Sequence, residues 1–106
     1  MISLKIRIRN DGPTTILDLE GPLKLGETQA EFRDQVQRLI AQGSTQIAIN
    51  LAGVSDLDSS GVGAMARAFI TLKRSGGKCT FFSPTERVQM LLKMVRLDEV
   101  WLPLPT

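Results

Sequence analysis

The sequence predicts an α/β fold: a mixed β-sheet, begun by an N-terminal hairpin and continued by parallel strands, with helices mainly on one face. Three observations predict it. Ile2, Leu4, Ile6 and Ile8 alternate with Ser3, Lys5, Arg7 and Arg9, the period of a strand with one apolar and one wet face. Farther on, apolar residues recur at helical spacing in three separate segments. Short apolar runs of strand length lie between those segments, giving the order ββαβαβα, with a further β where Val100-Trp101-Leu102 forms a last strand. Each strand–helix–strand crossover is expected to be right-handed and parallel. The wet face of the first strand implies that one side of the sheet stays uncovered.

In chain order, Asn10-Asp11-Gly12-Pro13 is a turn, and Thr15 to Leu19 returns as the second strand of the hairpin. The basic residues of the first strand are read as a solvated face that discourages edge pairing. Gly21-Pro22 breaks the second strand. Phe32, Val36, Leu39 and Ile40 mark the apolar side of a surface helix, and Gly43 its C-terminal cap.

The stretch Ile47 to Gly77 organises the rest. Ile47-Ala48-Ile49-Asn50-Leu51 is a buried strand, and Ala52 to Ser60 is expected to be a loop that passes Asp56 and Asp58. A helix follows with Val62, Met65, Ala66, Phe69 and Leu72 as its apolar face, ended by Gly76-Gly77. Asp58, Ser59 and Ser60 therefore sit where loop becomes helix. There they can accept hydrogen bonds from free backbone N–H groups, and an anion is favoured. Lys78 to Phe82 is the next strand. Ser83-Pro84-Thr85-Glu86 reads as a capping box with proline at the first helical position. Val88, Leu91, Leu92 and Val95 are the stripe of the last helix. Met90 and Met94 lie off that stripe and are read as extra core, with a partner groove as the alternative. The expected core includes Ile49, Leu51, Val62, Phe69, Phe81, Val88 and Leu92.

Composition excludes several functions. At 106 residues the chain reads as one domain, 1–106. It has no histidine and no tyrosine, so imidazole chemistry and His-ligated metals are out. The net charge of +2 is too small to argue for nucleic acid. No apolar run approaches a membrane span and the start is interrupted by charge, so a cytoplasmic protein without membrane insertion is expected. Cys79, the one cysteine, lies beside Phe81 in an apolar strand and is read as core. Asp56 and Asp58 lack the further ligands a metal site needs. Gly61-Val62-Gly63-Ala64-Met65-Ala66 matches G-x-G-x-x-A, but a dinucleotide site requires that fingerprint directly after a strand, and the expected loop intervenes. No cofactor is expected.

The stretch Asp58-Ser59-Ser60-Gly61-Val62-Gly63, its flanking strand and helix, and Gly76-Gly77 resemble a STAS domain, of which bacterial anti-sigma factor antagonists are the single-domain members. The resemblance covers nearly the whole chain in element order and length. It implies a non-enzymatic binding protein whose partner is an anti-sigma factor with serine kinase activity, with a phosphatase to reverse the modification. By it, Ser59 is the phosphoacceptor, and Lys24, Asp56, Asp58, Ser60, Gly61 and Gly63 belong to the partner surface. Two positions depart from the family. Gly21-Pro22-Leu23-Lys24 replaces the usual Gly-Glu-Leu-Asp, so a lysine stands for the family's aspartate, and Arg96 replaces a common glycine before Leu97. Two further readings stand beside this one: a STAS accessory subunit of a transporter ATPase, never phosphorylated, and a small nucleotide-binding enzyme that uses the glycines.

Overall fold

A computed structural model describes residues 3–96. Along these, β1 is Lys5–Asp11, β2 Thr14–Leu23, α1 Glu27–Ala41, β3 Gln46–Leu57, α2 Ser59–Arg74, β4 Lys78–Phe82 and α3 Glu86–Met94. The strands form one sheet in the order β1-β2-β3-β4. β1 pairs antiparallel with β2, and the pairs β2–β3 and β3–β4 are parallel. This is the mixed sheet with a hairpin start that the sequence predicts. The proposed strand at Val100-Trp101-Leu102 lies outside the described residues.

Alternation along the strands decides which face is covered. Leu17, Leu19, Ile47, Ile49, Leu51, Cys79 and Phe81 point to one side and are buried. Phe32, Val36 and Leu39 of α1, Ala64, Met65, Ala68 and Leu72 of α2, and Val88 and Leu92 of α3 pack onto them in a single cluster. Asp18, Glu20, Ala48, Asn50 and Thr80 stand on the other side. There Arg9 holds Asp18 at 2.7 Å, and Asp18 accepts from Asn50 Nδ2 at 2.8 Å.

Both strands that lead to the α2 end are longer than the sequence suggests. The register of β2 on β3 shifts between Asp18 and Glu20 and again between Gly21 and Leu23. The buried residues of β3 then fall at Leu51, Val54 and Leu57, three apart, so a period-two reading stops at Leu51. The expected loop Ala52 to Ser60 is thus strand up to Leu57. Likewise β2 runs through Gly21-Pro22, because a bulge tolerates a proline that donates no ladder hydrogen bond.

The helices end where expected. Gly43 and Gly76 take positive φ, and Ser44 and Gly77 donate back to Leu39 and Leu72 to close α1 and α2. The start of α3 differs: its cap is Thr85, whose hydroxyl accepts from Val88 N at 3.2 Å, and Pro84 precedes the helix. Arg96 has φ 60°, a left-handed conformation that favours glycine.

Five of the seven expected core residues are buried: Ile49, Leu51, Phe81, Val88 and Leu92. Val62 and Phe69 are only partly buried. The buried face of α2 is Gly61, Ala64, Met65, Ala68 and Leu72, so three small residues let the helix sit close while Val62 and Phe69 lie on its flank. Phe69 there carries Lys73 Nζ 5.8 Å from its ring centroid. Val95, expected in the α3 stripe, is exposed beyond the end of that helix, and Met90 and Met94 are exposed rather than extra core.

Candidate functional site at the start of helix α2

Only Asp58 separates β3 from α2. Its backbone is extended, and its carboxylate accepts from Gly61 N at 2.9 Å, so Asp58 is the N-cap. The other carboxylate oxygen accepts from Leu25 N at 3.0 Å. One side chain thereby ties the β2–α1 segment to the first turn of α2. Burial alone would raise the Asp58 carboxyl, but the Leu25, Gly61 and Ser60 N–H groups and the nearby Lys24 charge outweigh that and hold it below the ordinary carboxylate range.

Ser59 is consequently the first helical residue and not the cap. It is exposed, and its hydroxyl has no hydrogen-bond partner among the described residues. Ser60 is half-buried. Gly61 is buried, and a Cβ there would collide with the Leu23 carbonyl oxygen and lie 2.7 Å from Leu57 Cδ1. Its glycine is a packing requirement of the helix start. Gly63 is different: a Cβ there would meet only Arg67 Nη1, at 3.7 Å.

A charged cluster gathers on Asp56, three residues before the serine. Lys24 Nζ lies 2.6 Å from one oxygen of Asp56, and Arg87 Nε lies 3.0 Å from the other. Asp56 also accepts from Leu57 N at 2.9 Å. The Lys24 hydrogen bond, the Leu57 N–H and Arg87 together hold the Asp56 carboxyl far below its usual range. The Lys24 backbone is fixed in turn by Thr28, whose hydroxyl accepts from Lys24 N and donates to Lys24 O, each at 3.0 Å. Beside the charges stand apolar side chains open to solvent: Leu25 at 76% exposure, and Met90 and Met94 on α3. Arg87, Met90 and Met94 are spaced three and four apart, which puts them on one side of α3.

The structure thus brings Lys24, Asp56, Asp58, Ser59, Ser60 and Gly61 to one end of the sheet, with Gly63 within the first turns of α2. Sequence reasoning missed Arg87 and Leu25. Arg87 meets Asp56 across 31 positions of chain, a contact no local pattern encodes. Leu25 was detectable only as an apolar residue next to Gly26, at a helix start with no side-chain cap.

Among the described residues no three His, Cys, Asp or Glu side chains cluster as metal ligands. Burial pushes the Cys79 thiol up to about 12, which leaves it protonated and inert at neutral pH. Gly61, Gly63 and Ala66 all lie inside α2, so the G-x-G-x-x-A pattern follows its strand closely but lacks the glycine turn that a pyrophosphate requires. No helix among the described residues is long and apolar enough to cross a membrane.

The family model of the STAS domain matches residues 5–105. The chain belongs to the STAS domain family. Solved structures agree in fold. The anti-sigma factor antagonist SpoIIAA in its unphosphorylated form superposes with a TM-score of 0.79 at 24% identity, covering 96% of this chain and 89% of that one. The phosphorylated form of SpoIIAA, the Bacillus cell fate determinant, gives 0.73 at 23% identity over 96% and 92%. An anti-sigma factor antagonist from Mycobacterium paratuberculosis gives 0.82 at 14% identity over 96% and 86%. The murine anion transporter Slc26a9 contains a similar unit, with a TM-score of 0.65 at 20% identity over 82% of this chain and 14% of the transporter.

Proposed function

We propose that this STAS domain is a bacterial, cytoplasmic anti-sigma factor antagonist and not an enzyme. Unphosphorylated, it binds an anti-sigma factor that is also a serine kinase and so releases sigma. Phosphorylation of Ser59 ends that binding, and a phosphatase restores it. The observation that carries this reading is the exposed, unpartnered hydroxyl of Ser59 at the first position of α2, next to the Asp58 cap that also holds Leu25. The similarity to SpoIIAA, known in both unphosphorylated and phosphorylated forms, supports it.

The physics favours a switch by surface blocking. A phosphate adds a charge of about −1.5 to −2. Next to a helix N-terminus it gains roughly 0.3–1 kcal/mol, and the adjacent Asp58 offsets part of that gain. The fold therefore changes little in stability. A partner closing over the site must instead strip water from a dianion, which costs at least several kcal/mol when the charge is left unpaired. That loss corresponds to several powers of ten in affinity.

The test is kinase treatment, mass spectrometry and a binding titration. Ser59→Ala should stay bound to the partner under phosphorylating conditions. Ser59→Asp should bind poorly while melting at nearly the wild-type temperature. Phosphate found only at other residues, or full affinity with Ser59 modified, defeats the mechanism. That outcome favours the second reading, a STAS subunit attached to a transporter ATPase, which the similarity to a unit of Slc26a9 supports. Partner isolation from cell extract separates the two directly.

A further inference from the structure

Helices α1 and α2 do not close on each other along their whole length. Phe32 and Val36 of α1 and Ala64 and Ala68 of α2 pack together in the core, and above them a groove of about 430 Å³ remains between the two helices. Its floor is apolar and belongs to the core. Its walls carry Arg33 from α1 and Arg67 and Arg74 from α2, and no carboxylate lines it. That imbalance is local, since the chain as a whole has 13 basic and 11 acidic residues. Glu31 and Asp34 of α1 line the opposite flank of their helix, beside Leu4 and Ile6. Arg67 and Arg74 have no ion-pair partner among the described residues, and Arg33 has only its neighbour Asp34, at 3.4 Å.

We propose that this groove binds a free, single-chain amphipathic anion: an alkyl chain with a carboxylate or phosphate head. The volume lies within the range of small-molecule sites, about 300–1,000 Å³. Ile40, Ile70 and the aliphatic stems of the arginines take the chain, and the guanidinium groups on the walls take the head through paired, charge-assisted hydrogen bonds. A bilayer or a protein surface fits less well. Either needs apolar side chains that stand proud, and of the groove's large apolar residues only Ile70 is exposed. The groove is lined from Ala64 onward and does not include Ser59, so this site does not rest on the phosphorylation reading.

The probes are hexyl, octyl and decyl phosphates and the matching alkyl carboxylates, titrated as monomers into the full chain labelled with nitrogen-15. Amide shifts should concentrate on the groove residues, and each added pair of methylenes should tighten binding roughly tenfold. Decanol and decyltrimethylammonium should bind at least about tenfold more weakly than decyl phosphate, for want of a charge-assisted hydrogen bond. Replacing both arginines, Arg67→Ala with Arg74→Ala, should erase that preference. These two changes are on the surface and leave the core intact. Thr71→Trp, at an exposed position on the groove wall, places a ring over the groove and should abolish binding. The proposal is overturned if no probe binds, if decanol binds as well as decyl phosphate, if Thr71→Trp folds and still binds, or if only anionic vesicles, and no monomeric probe, are bound.

Discussion

Asp56 and Asp58 stand two residues apart at the end of β3, and they hold different parts of the molecule. Asp58 holds backbone. Its two oxygens take the N–H groups of Gly61 and Leu25, and beneath them Gly61 packs against Leu23 and Leu57 with no room for a side chain. Asp56 holds charges. Its two oxygens take the tips of Lys24 and Arg87, long side chains that are 45% and 64% exposed. The start of α2 is therefore fixed by backbone hydrogen bonds and by the close packing of buried Gly61, whereas the rim beside it is an ion-pair cluster in contact with water. The helix start sets where the serine is. The rim can exchange partners at little cost to the fold, because exposed pairs contribute little to stability.

The comparison breaks most sharply at Gly61. Gly61→Ala drives a methyl group into the Leu23 carbonyl, so overpacking should cost about 1–3 kcal/mol or more by urea unfolding. Gly63→Ala, two residues along the same helix, meets only the end of a flexible arginine and should be neutral or stabilising by up to ~1 kcal/mol. Equal losses at both positions would show that the start of α2 is no tighter than the rest of the helix.

Asp58→Ala comes next. Losing a cap costs roughly 0.5–2 kcal/mol, and here the Leu25 N–H is stranded as well. Asp58→Asn should lose less, because an amide oxygen can still accept from Gly61 N. The pH dependence separates charge from cap. The Asp58 carboxyl is held below its unfolded value, so its charge stabilises fully above pH ~4, and that contribution fades as the pH falls through the lowered folded value. The gap between wild type and Asp58→Asn should thus narrow in acid. A gap that widens below pH 4 would mean that the carboxylate is not stabilised by its donors.

What the sequence disclosed follows the same division. Periodicity located every described element, because burial on one face of a strand or helix leaves a period of two or 3.6 residues. It placed Ser59 at a helix start, because hydroxyl and carboxylate residues collect where N–H groups are free. It failed where the period changes. The bulges opposite Leu19 and Pro22 lengthen β3 by spacing its buried residues three apart, and the small residues Gly61, Ala64 and Ala68 join Met65 and Leu72 on the buried face of α2 in place of Val62 and Phe69. Hydrophobic size is thus a poor guide where two backbones approach closely. The rim was only half legible. Lys24 is visible as a departure from the family, but its pairing with Asp56, and the arrival of Arg87 from α3, depend on the folded chain.

The smallest expected change in stability is at the rim itself, and it carries the most information about binding. Lys24→Glu, a hypothesis-testing variant for the proposed interface, sets a second carboxylate against Asp56 and leaves Arg87 to serve both. Unfolding should shift only slightly, since Lys24 is half in solvent and its backbone stays fixed by Thr28. Association with the partner should change in rate and in salt dependence, because a reversed charge at the edge of an interface acts on long-range steering. Ion pairing predicts one thing more. Asp56→Ala frees both Lys24 and Arg87, so Lys24→Glu should perturb unfolding differently in that background than in the wild type. If instead the two changes simply add, Lys24 and Asp56 act independently and the cluster is not a unit. If the partner binds Lys24→Glu with unchanged kinetics at low and high salt, the rim lies outside the interface, and recognition rests on Leu25 and the open face of α3.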